Sequence, residues 1–281
     1  MRLHVCGSRG STPSPGIEFA RYGGHTSCIA VEGIDGRPDL IIDAGTGLRV
    51  ADGLFGGRPF EGAIVLGHLH WDHTHGLPFF RAGDRDDARV DVYVPAQDLD
   101  PLAALERMMS PPNFPITPAE LKGRWSFLTL EEGLHQIGRY EVTAREIPHK
   151  GGRTFGYRID DGSASIAYLS DHHPLLIGAG PDGHGVVHGA ALDLAAGVDL
   201  LIHDAQIVGE DWPARTLLGH STPTYATRLA REANAQKVLL FHHDPASTDD
   251  ELDELAAAWA DASEPDVWVA RQGMTLDVGA H

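Results

Sequence analysis

The sequence contains 281 residues, and 42% of them are hydrophobic, which is enough for one large domain or two small ones. Acidic residues number 40 against 22 lysines and arginines, so the formal net charge is −18 and a long phosphate backbone would be repelled. Cys6 and Cys28, the two cysteines of the sequence, exclude a disulfide framework and a thiolate zinc site, and they favour a reducing compartment.

Short apolar runs, separated by glycine and proline, predict twelve strands along the chain. They cover residues 3–6, 27–31, 40–43, 63–66, 90–94, 140–147, 155–159, 165–169, 200–203, 237–241, 267–270 and 275–278. Helical periodicity predicts helices over 100–109, 190–196, 223–232 and 249–262. The order and spacing of these predicted elements are similar in the two halves of the chain. We therefore expect one α/β domain over residues 1–281, in which two sheets pack face to face with helices outside.

The sequence also indicates where the protein works. No apolar segment near the N-terminus resembles a signal peptide, and no run approaches the roughly 18 apolar residues of a membrane span. We expect a cytoplasmic protein that makes no membrane contact.

Histidine is unusually frequent, with 17 residues, and it is the commonest metal ligand in proteins. The positions of these histidines therefore guide the functional interpretation.

Four metal-ligand side chains follow the predicted strand 63–66 within six residues: His68, His70, Asp72 and His73. In extended backbone, residues i and i+2 project to the same side, so the first two can bind one cation together. A helix starting after them would turn the other two toward a nearby point. These ligand types suit a pair of divalent ions. The alternative is a polar loop that is merely rich in histidine.

This His-x-His-x-Asp-His pattern resembles that of the metallo-β-lactamase-fold hydrolases, and the resemblance extends over most of the chain. It implies a four-layer αββα sandwich with a dinuclear metal site at one edge. The family also places an aspartate after an early strand, and here Asp43 occupies that position. Asp43 either orients a metal-bound histidine or simply forms a turn before the glycines that follow it.

The resemblance also implies three ligands from later strand ends. His149 would join His68 and His70 on the first metal, Asp171 would bridge the two metals, and His242 would bind the second with Asp72 and His73. The neighbouring residues His172 and His243 remain alternatives, because a slip of one residue turns a strand side chain to the opposite face.

The segment Gly219-His220-Ser221-Thr222 precedes a predicted helix and resembles the phosphodiesterase branch of the superfamily, which includes ribonuclease Z and cyclic-nucleotide phosphodiesterases. The resemblance implies that His220 acts on the scissile phosphate, backed by a carboxylate that here would be Asp204. Ser221 and Thr222 are expected to contact substrate. On the alternative interpretation, His220 is an exposed helix-terminal residue, Ser221 or Thr222 is a helix cap, and Asp204 forms a turn.

An arginine near the N-terminus and three phenylalanines add expectations about the substrate. Arg9 is expected to contact a phosphate. Phe79, Phe80 and Phe114 either stack on a base or fill the core, and we favour the core. Between residues 75 and 149 no basic cluster occurs, since the arginines alternate with aspartates in 81–89. This disfavours a long nucleic acid and favours a small phosphodiester.

The resulting hypothesis is a dinuclear metal-dependent hydrolase that acts on a small phosphodiester, such as a cyclic nucleotide, through a metal-bridging hydroxide. Zinc is the expected metal, with manganese or iron as alternatives. Besides its ligand role, Asp72 would hold the proton of the nucleophile, and His220 would protonate the leaving group with Asp204 fixing its tautomer. The alternatives are a ribonuclease Z-like tRNA 3′-processing endonuclease, a lactonase or thioester hydrolase, and an iron-dependent redox member of the fold. A homodimer is compatible with each.

Overall fold

The computed structural model describes residues 1–209, 212–262 and 264–279. Its strands are β1 Arg2–Gly7, β2 Cys28–Glu32, β3 Pro38–Ile42, β4 Glu61–Val65, β5 Arg89–Pro95, β6 Arg124–Leu130, β7 Gly133–Ile137, β8 Tyr140–Ile147, β9 Thr154–Asp160, β10 Ser165–Leu169, β11 Leu200–Asp204, β12 Lys237–Phe241, β13 Asp266–Val269 and β14 Thr275–Asp277. Its α-helices are α1 Leu48–Ala51, α2 Trp71–Thr74, α3 Pro101–Glu106, α4 Gly189–Ala195, α5 Trp212–Arg215, α6 Pro223–Glu232 and α7 Asp249–Ala258.

The strands form two sheets of matching design. One has the order β14-β1-β2-β3-β4-β5-β6, and the other has the order β13-β12-β11-β10-β9-β8-β7. Strands β3 to β6 are parallel in the first sheet, and β10 to β13 are parallel in the second. The remaining pairs are antiparallel. The similar order and spacing of predicted elements in the two halves of the sequence reflect this repeated arrangement.

Three apolar clusters separate four layers. The central cluster joins the inner faces of both sheets, and residues such as Val31, Tyr157 and Ile202 belong to it. A second cluster packs α4, α6 and α7 on the outer face of one sheet. The third packs α1 and α3, with Phe55, Phe60 and other aromatic residues, on the outer face of the other. This confirms the predicted α/β sandwich with helices outside.

The helices begin where the sequence offers capping groups. The Asp100 carboxylate accepts hydrogen bonds from the amides of Leu102 and Ala103 at the start of α3. Thr248 and Glu251 form a capping box at the start of α7. Both helices end earlier than predicted, at residues 106 and 258, and turns rather than α-helix follow them.

Two strands were not predicted, β6 and β7, and each lies at the edge of its sheet. Edge strands pair on one side only, and here their side chains are largely half-buried or exposed. Their sequences consequently lack the continuous apolar run that marks the central strands.

The described helices include none that is long and apolar enough to cross a membrane. The extent of the domain, residues 1–281, stays a prediction.

Candidate metal centre

The predicted ligands converge at one edge of the sandwich because several strands end there. Asp43 follows β3, His149 follows β8, Asp171 follows β10 and His242 follows β12. In parallel sheets the carboxyl ends of neighbouring strands lie side by side, and loops from these ends commonly form binding sites.

The segment after β4 turns as the sequence analysis expected. His70 has extended backbone, with φ −64° and ψ 157°, and α2 begins at the next residue. This turn directs His68 and His70 to one group of side chains, and Asp72 and His73 to another. The loop packs closely against the residues after β3, since a Cβ on Gly45 would lie 2.1 Å from the carbonyl oxygen of Asp72.

The first ligand group contains His68, His70 and His149, whose ligand atoms all lie within 4.8 Å of one another. Nδ1 of His149 donates to the carbonyl oxygen of Gly219 at 2.8 Å, which leaves its Nε2 unprotonated toward the group. That Nε2 and both ring nitrogens of His68 are buried without a hydrogen-bond partner among the described residues. Burial lowers the pKa of His149 to about 4 and that of His68 well below its ordinary value, so both imidazoles are neutral.

The second ligand group contains Asp72, His73, Asp171 and His242, all buried. Its atoms are very close: Nε2 of His73 lies 3.3 Å from Nε2 of His242 and 3.0 Å from Oδ2 of Asp171. Oδ2 of Asp72 lies 3.2 Å from Nε2 of His73 and 3.1 Å from Nε2 of His242. Ligand atoms around a tetrahedral zinc ion, at 2.0–2.1 Å from it, lie about 3.3 Å apart. The arrangement therefore fits one small divalent cation.

Asp171 connects the two groups. Its Oδ1 lies 3.8 Å from Nε2 of His68 and 3.6 Å from Nε2 of His149. Its Oδ2 lies within 3.3 Å of the second group's two imidazoles. One carboxylate thus faces both groups, which is the geometry that a bridging ligand requires.

Charge within the second group is balanced between acids and bases. Although burial opposes both changes, the neighbouring aspartates raise the pKa of His73 and of His242. Burial would raise the pKa of Asp72 and of Asp171, but the neighbouring histidines outweigh it and lower both values. The two carboxylates thus favour positive charge on the neighbouring imidazoles, and a divalent ion would compete with protons for these nitrogens.

Asp43 supports the second group from behind. Its Oδ2 lies 2.7 Å from Nδ1 of His73 and accepts a 2.6 Å hydrogen bond from the hydroxyl of Tyr168. Its Oδ1 accepts from the amide of Gly67 at 2.7 Å. This carboxylate therefore fixes the His73 ring so that Nε2 faces the other ligands. Of the two interpretations of Asp43, the geometry matches the orienting one.

Backbone strain is concentrated here. Among the described residues other than glycine, four have positive φ, and three of them are Ser11, Asp43 and His242. Such conformations cost free energy and persist where surrounding contacts hold them. The amide of Ser11, for example, donates to Oδ2 of Asp72 at 2.7 Å. A Cβ on Gly10 would lie 2.5 Å from the His242 ring, so only glycine permits this approach.

His220 and Asp204 form a pair beside the two candidate ligand groups. Nδ1 of His220 lies 2.9 Å from Oδ2 of Asp204 and 3.7 Å from Oδ1 of Asp171. Asp204 is completely buried, and it also accepts from the amide of Gln206 at 2.9 Å. Since Asp204 occupies Nδ1, the other ring nitrogen of His220 is available to a bound molecule.

A cleft of about 400 Å³ opens over these side chains. Its walls are formed by Ser11, Leu69, His70, Trp71, Asp72, His149, Asp171, Leu218 and His220. Sequence reasoning missed Trp71 and Leu218, whose residue types carry no signal for a binding site. Tyr168 was missed because a tyrosine within an apolar strand has no feature that distinguishes it from a core residue.

Comparison with known proteins adds to this geometry. The Beta-lactamase superfamily domain matches residues 39–243, most of the chain. The chain belongs to the beta-lactamase superfamily. A ribonuclease Z of Limosilactobacillus fermentum is 27% identical over 220 residues, covering 64% of this chain and 68% of that protein.

Two solved structures share the fold over nearly the whole chain. The metallo-beta-lactamase fold protein YhfI from Bacillus subtilis has a TM-score of 0.71 and 19% identity, covering 98% of this chain and 99% of its own. A diphosphatase from the PhnP family has a TM-score of 0.67 and 19% identity, covering 98% and 97%. The predicted αββα sandwich of the superfamily is thus confirmed. Superfamily membership identifies the chain as a metal-dependent hydrolase, and its two ligand groups fit the divalent ions that the fold implies.

The alternative ligands do not join the superfamily's ligand groups. Nδ1 of His172 lies 3.0 Å from Nε2 of His203, and Nε2 of His243 donates to the carbonyl oxygen of Ala270 at 2.7 Å. Neither residue belongs to a candidate ligand group in the described part of the chain. The strand-end slip that would have exchanged them for Asp171 and His242 does not occur.

The three expected substrate contacts need correction. Arg9 is fully buried, and its guanidinium donates to the carbonyl oxygens of Gly23, Asp244 and Ser247, so it cannot reach a phosphate. Ser221 and Thr222 are buried and lie outside the cleft lining. The Thr222 hydroxyl accepts from the amide of Tyr225 and thereby caps α6, which was the alternative interpretation.

The three phenylalanines have different environments. Phe80 is fully buried against Phe55 and Phe60, as the core interpretation expected. Phe79 is half-exposed, and its ring contacts that of Phe114 edge-on at 5.9 Å. The core interpretation is therefore wrong for Phe79, which lines a pocket.

Proposed function

We propose that this chain hydrolyses small phosphodiesters, such as cyclic nucleotides, with two divalent ions, zinc in the first instance. One ion would be held by His68, His70 and His149, the other by Asp72, His73 and His242, with Asp171 between them. Two ions in these groups would lower the pKa of a bound water and neutralise the charge of an anionic diester. Nitrogen and oxygen ligands at these spacings suit zinc, although manganese and iron accept the same donors.

The observation that carries this proposal is the His220–Asp204 pair, with its 2.9 Å contact at the wall of the cleft. Hydrolysis of an alkyl phosphodiester releases an alkoxide, which is a poor leaving group unless a proton reaches it. Asp204 holds the Nδ1 proton of His220, so the opposite ring nitrogen can carry and donate the required proton. A site that hydrolyses reactive acyl groups has less need of this pair.

Asp72 has a second task in the proposal. The amide of Ser11 donates to its Oδ2, the oxygen that also faces His73 and His242. The carboxylate is therefore fixed in position. Its other oxygen can accept the proton of the attacking water and orient that water toward the phosphorus atom.

Size and charge favour a small substrate. The cleft of about 400 Å³ lies within the range of small-molecule sites. With a net charge of −18, the chain repels long nucleic acids except where cations act locally. In the described part of the chain between the two ligand segments, Arg85 pairs with Asp87 and so offers little charge to a phosphate backbone.

The test compares two diesters that differ in leaving group. Bis(p-nitrophenyl) phosphate releases a stable phenolate that needs no proton, whereas 3′,5′-cyclic GMP releases an alkoxide. We expect His220→Ala to lower kcat for cyclic GMP by about 10²- to 10⁴-fold, the usual contribution of a general acid, and to affect the phenolate substrate far less. Asp204→Asn should show the same pattern with a smaller effect.

The metal content of each variant, measured by mass spectrometry, must match that of the wild type. His135→Ala, at a half-buried position of the edge strand β7 outside the cleft lining, provides the control. Equal losses on both diesters would contradict a proton-donating role for His220. No diester turnover by the metal-loaded wild type, together with rapid lactone or thioester hydrolysis, would replace the proposal with acyl hydrolysis. Retained activity of an iron-containing His220→Ala protein would favour redox chemistry.

A second candidate is tRNA 3′ processing, because a ribonuclease Z is among the relatives that the chain matches. A precursor tRNA incubated with the zinc-loaded protein distinguishes the two candidates. Endonucleolytic cleavage at the 3′ end with higher kcat/KM than cyclic GMP turnover would favour the second.

A further inference from the structure

The structure contains a second pocket, of about 520 Å³. Residues from the same two segments line both spaces: Ser11 and Asp72 face the cleft, whereas Pro13 and His75 face the pocket. The ring of Trp71, in the cleft wall, stacks on that of His75 with centroids 5.5 Å apart. A molecule with its phosphate at the ligand groups could therefore place another part of itself in this pocket.

The pocket walls suit a flat aromatic group. Phe79 is 52% exposed although it is a large apolar residue, and Phe114 meets it edge-on. Met108 adds a polarisable side chain that adapts to the shape of a ligand. Exposed aromatic surfaces of this kind are stacking platforms for nucleobases.

Two nitrogen donors complete the lining. The guanidinium of Arg49 makes no hydrogen bond or ion pair with any residue that the structure describes, although the chain carries a large excess of carboxylates. His25 uses Nδ1 for Thr46, at 3.1 Å, and so retains its other ring nitrogen for a ligand. A planar guanidinium fork matches two adjacent acceptors, the pattern that O6 and N7 of guanine present.

We propose that this pocket binds the base of the nucleotide whose phosphodiester is hydrolysed, and that Arg49 makes guanine the preferred base. The assignment rests on the proposed function, because the phosphate of the same molecule must lie at the ligand groups. Base stacking on Phe79 supplies affinity, and the guanidinium supplies the choice among bases.

The experiment measures binding of GMP, AMP and ribose 5-phosphate to the zinc-loaded protein by calorimetry, with bis(p-nitrophenyl) phosphate turnover recorded in parallel. Ribose 5-phosphate has the sugar and the phosphate but no base. We expect GMP to bind at least about tenfold more tightly than ribose 5-phosphate, as stacking on one aromatic residue typically contributes. AMP should bind more weakly than GMP by about fivefold or more, the discrimination that a bidentate arginine provides.

Two variants assign the effects to residues. Phe79→Ala should reduce the advantage of both nucleotides over ribose 5-phosphate, and Arg49→Gln should remove the preference for GMP over AMP. Arg107→Gln is the matched control, since Arg107 also lines a depression beside Trp71 but outside this pocket. It changes the net charge equally and should leave the preference intact.

Equal affinity for all three ligands in a protein that turns over bis(p-nitrophenyl) phosphate would overturn the pocket assignment while the proposed function stands. A GMP preference that persists in Arg49→Gln would overturn the role of that residue. Absence of diester turnover, with base-dependent binding intact, would overturn the proposed function and support nucleotide binding by the pocket.

Discussion

Two regions of buried histidine lie side by side in this protein, and they differ in what surrounds the imidazoles. At the ligand edge, ring nitrogens face carboxylates and each other at 3.0–3.3 Å. Beside it, His172, His203 and His243 are equally buried, but His203 donates to the carbonyl oxygen of Asp204 and His243 to that of Ala270. Burial is common to both regions.

The difference shows what distinguishes a candidate metal ligand from a structural histidine. Burial by itself favours the neutral imidazole, and it lowers the pKa of His243 to about 3 and that of His203 below its ordinary value. At the ligand edge, carboxylate oxygens also lie within about 3.3 Å of imidazole nitrogens, and these carboxylates favour a positive charge among them. In each of the adjacent pairs Asp171–His172 and His242–His243, the first residue lies at the ligand edge and the second lies among the other buried histidines.

The largest expected effect comes from removing the carboxylate that faces both ligand groups. Asp171→Ala should lower kcat/KM by about 10³-fold or more, since bound ions supply several kcal/mol of transition-state stabilisation. Metal analysis should show fewer than two ions per chain. His172→Ala, one residue away, is the comparison variant and should retain the full metal content. Full metal content in Asp171→Ala would show that the carboxylate does not bridge the groups.

A smaller effect is expected from Asp43→Asn, which keeps the shape of the side chain but removes the charge behind His73. Removing such a supporting group typically weakens metal binding by about 10- to 100-fold. Competition with a chelator should show this loss for one ion, while the ion at His68, His70 and His149 is unaffected. Asp199→Asn, before β11 at the opposite end of the strands, serves as the control. Uniform weakening of both ions would contradict separate groups.

The smallest effect concerns stability at the structural histidines. Burial lowers the pKa of His203 in the folded protein, although its hydrogen bond to the Asp204 carbonyl opposes this. Neutral His203 therefore makes its full contribution to the unfolding free energy above pH 6.5, the ordinary pKa of histidine in the unfolded chain. This contribution is lost as the pH falls below that value. The loss is at most about 1.4 kcal/mol of unfolding free energy per pH unit for one proton.

His203→Gln removes this titration and keeps a donor for the carbonyl. Urea unfolding at pH 7.5 and 5.5 should show a smaller decrease in unfolding free energy for the variant than for the wild type. Because the metal ligands are present in both proteins, their protonation contributes equally. An identical decrease would mean that His203 is protonated in the folded state over this range.

Much of the site could be predicted because strand ends can be located in a sequence. The apolar runs before Asp43, Asp171 and His242 mark central parallel strands, and such strands end together at one edge. The metal-ligand series then followed from its resemblance to a known superfamily. The edge strands β6 and β7 could not be found in this way, since partial burial leaves no continuous apolar run.

Other features depend on tertiary contacts that no local pattern encodes. Arg9 was expected at a phosphate, but three carbonyl oxygens from distant segments enclose its guanidinium. Phe79 and Phe80 are adjacent and identical in type, yet one is half-exposed and the other fully buried. Only the packed structure separates their roles.

Anomalous X-ray scattering at the zinc edge, from crystals of the zinc-loaded protein, would show directly whether the two ligand groups bind two divalent ions. We expect two peaks about 3.5–4 Å apart, one against His68, His70 and His149 and one against Asp72, His73 and His242. A single peak, or peaks at His172 and His203 instead, would contradict this expectation.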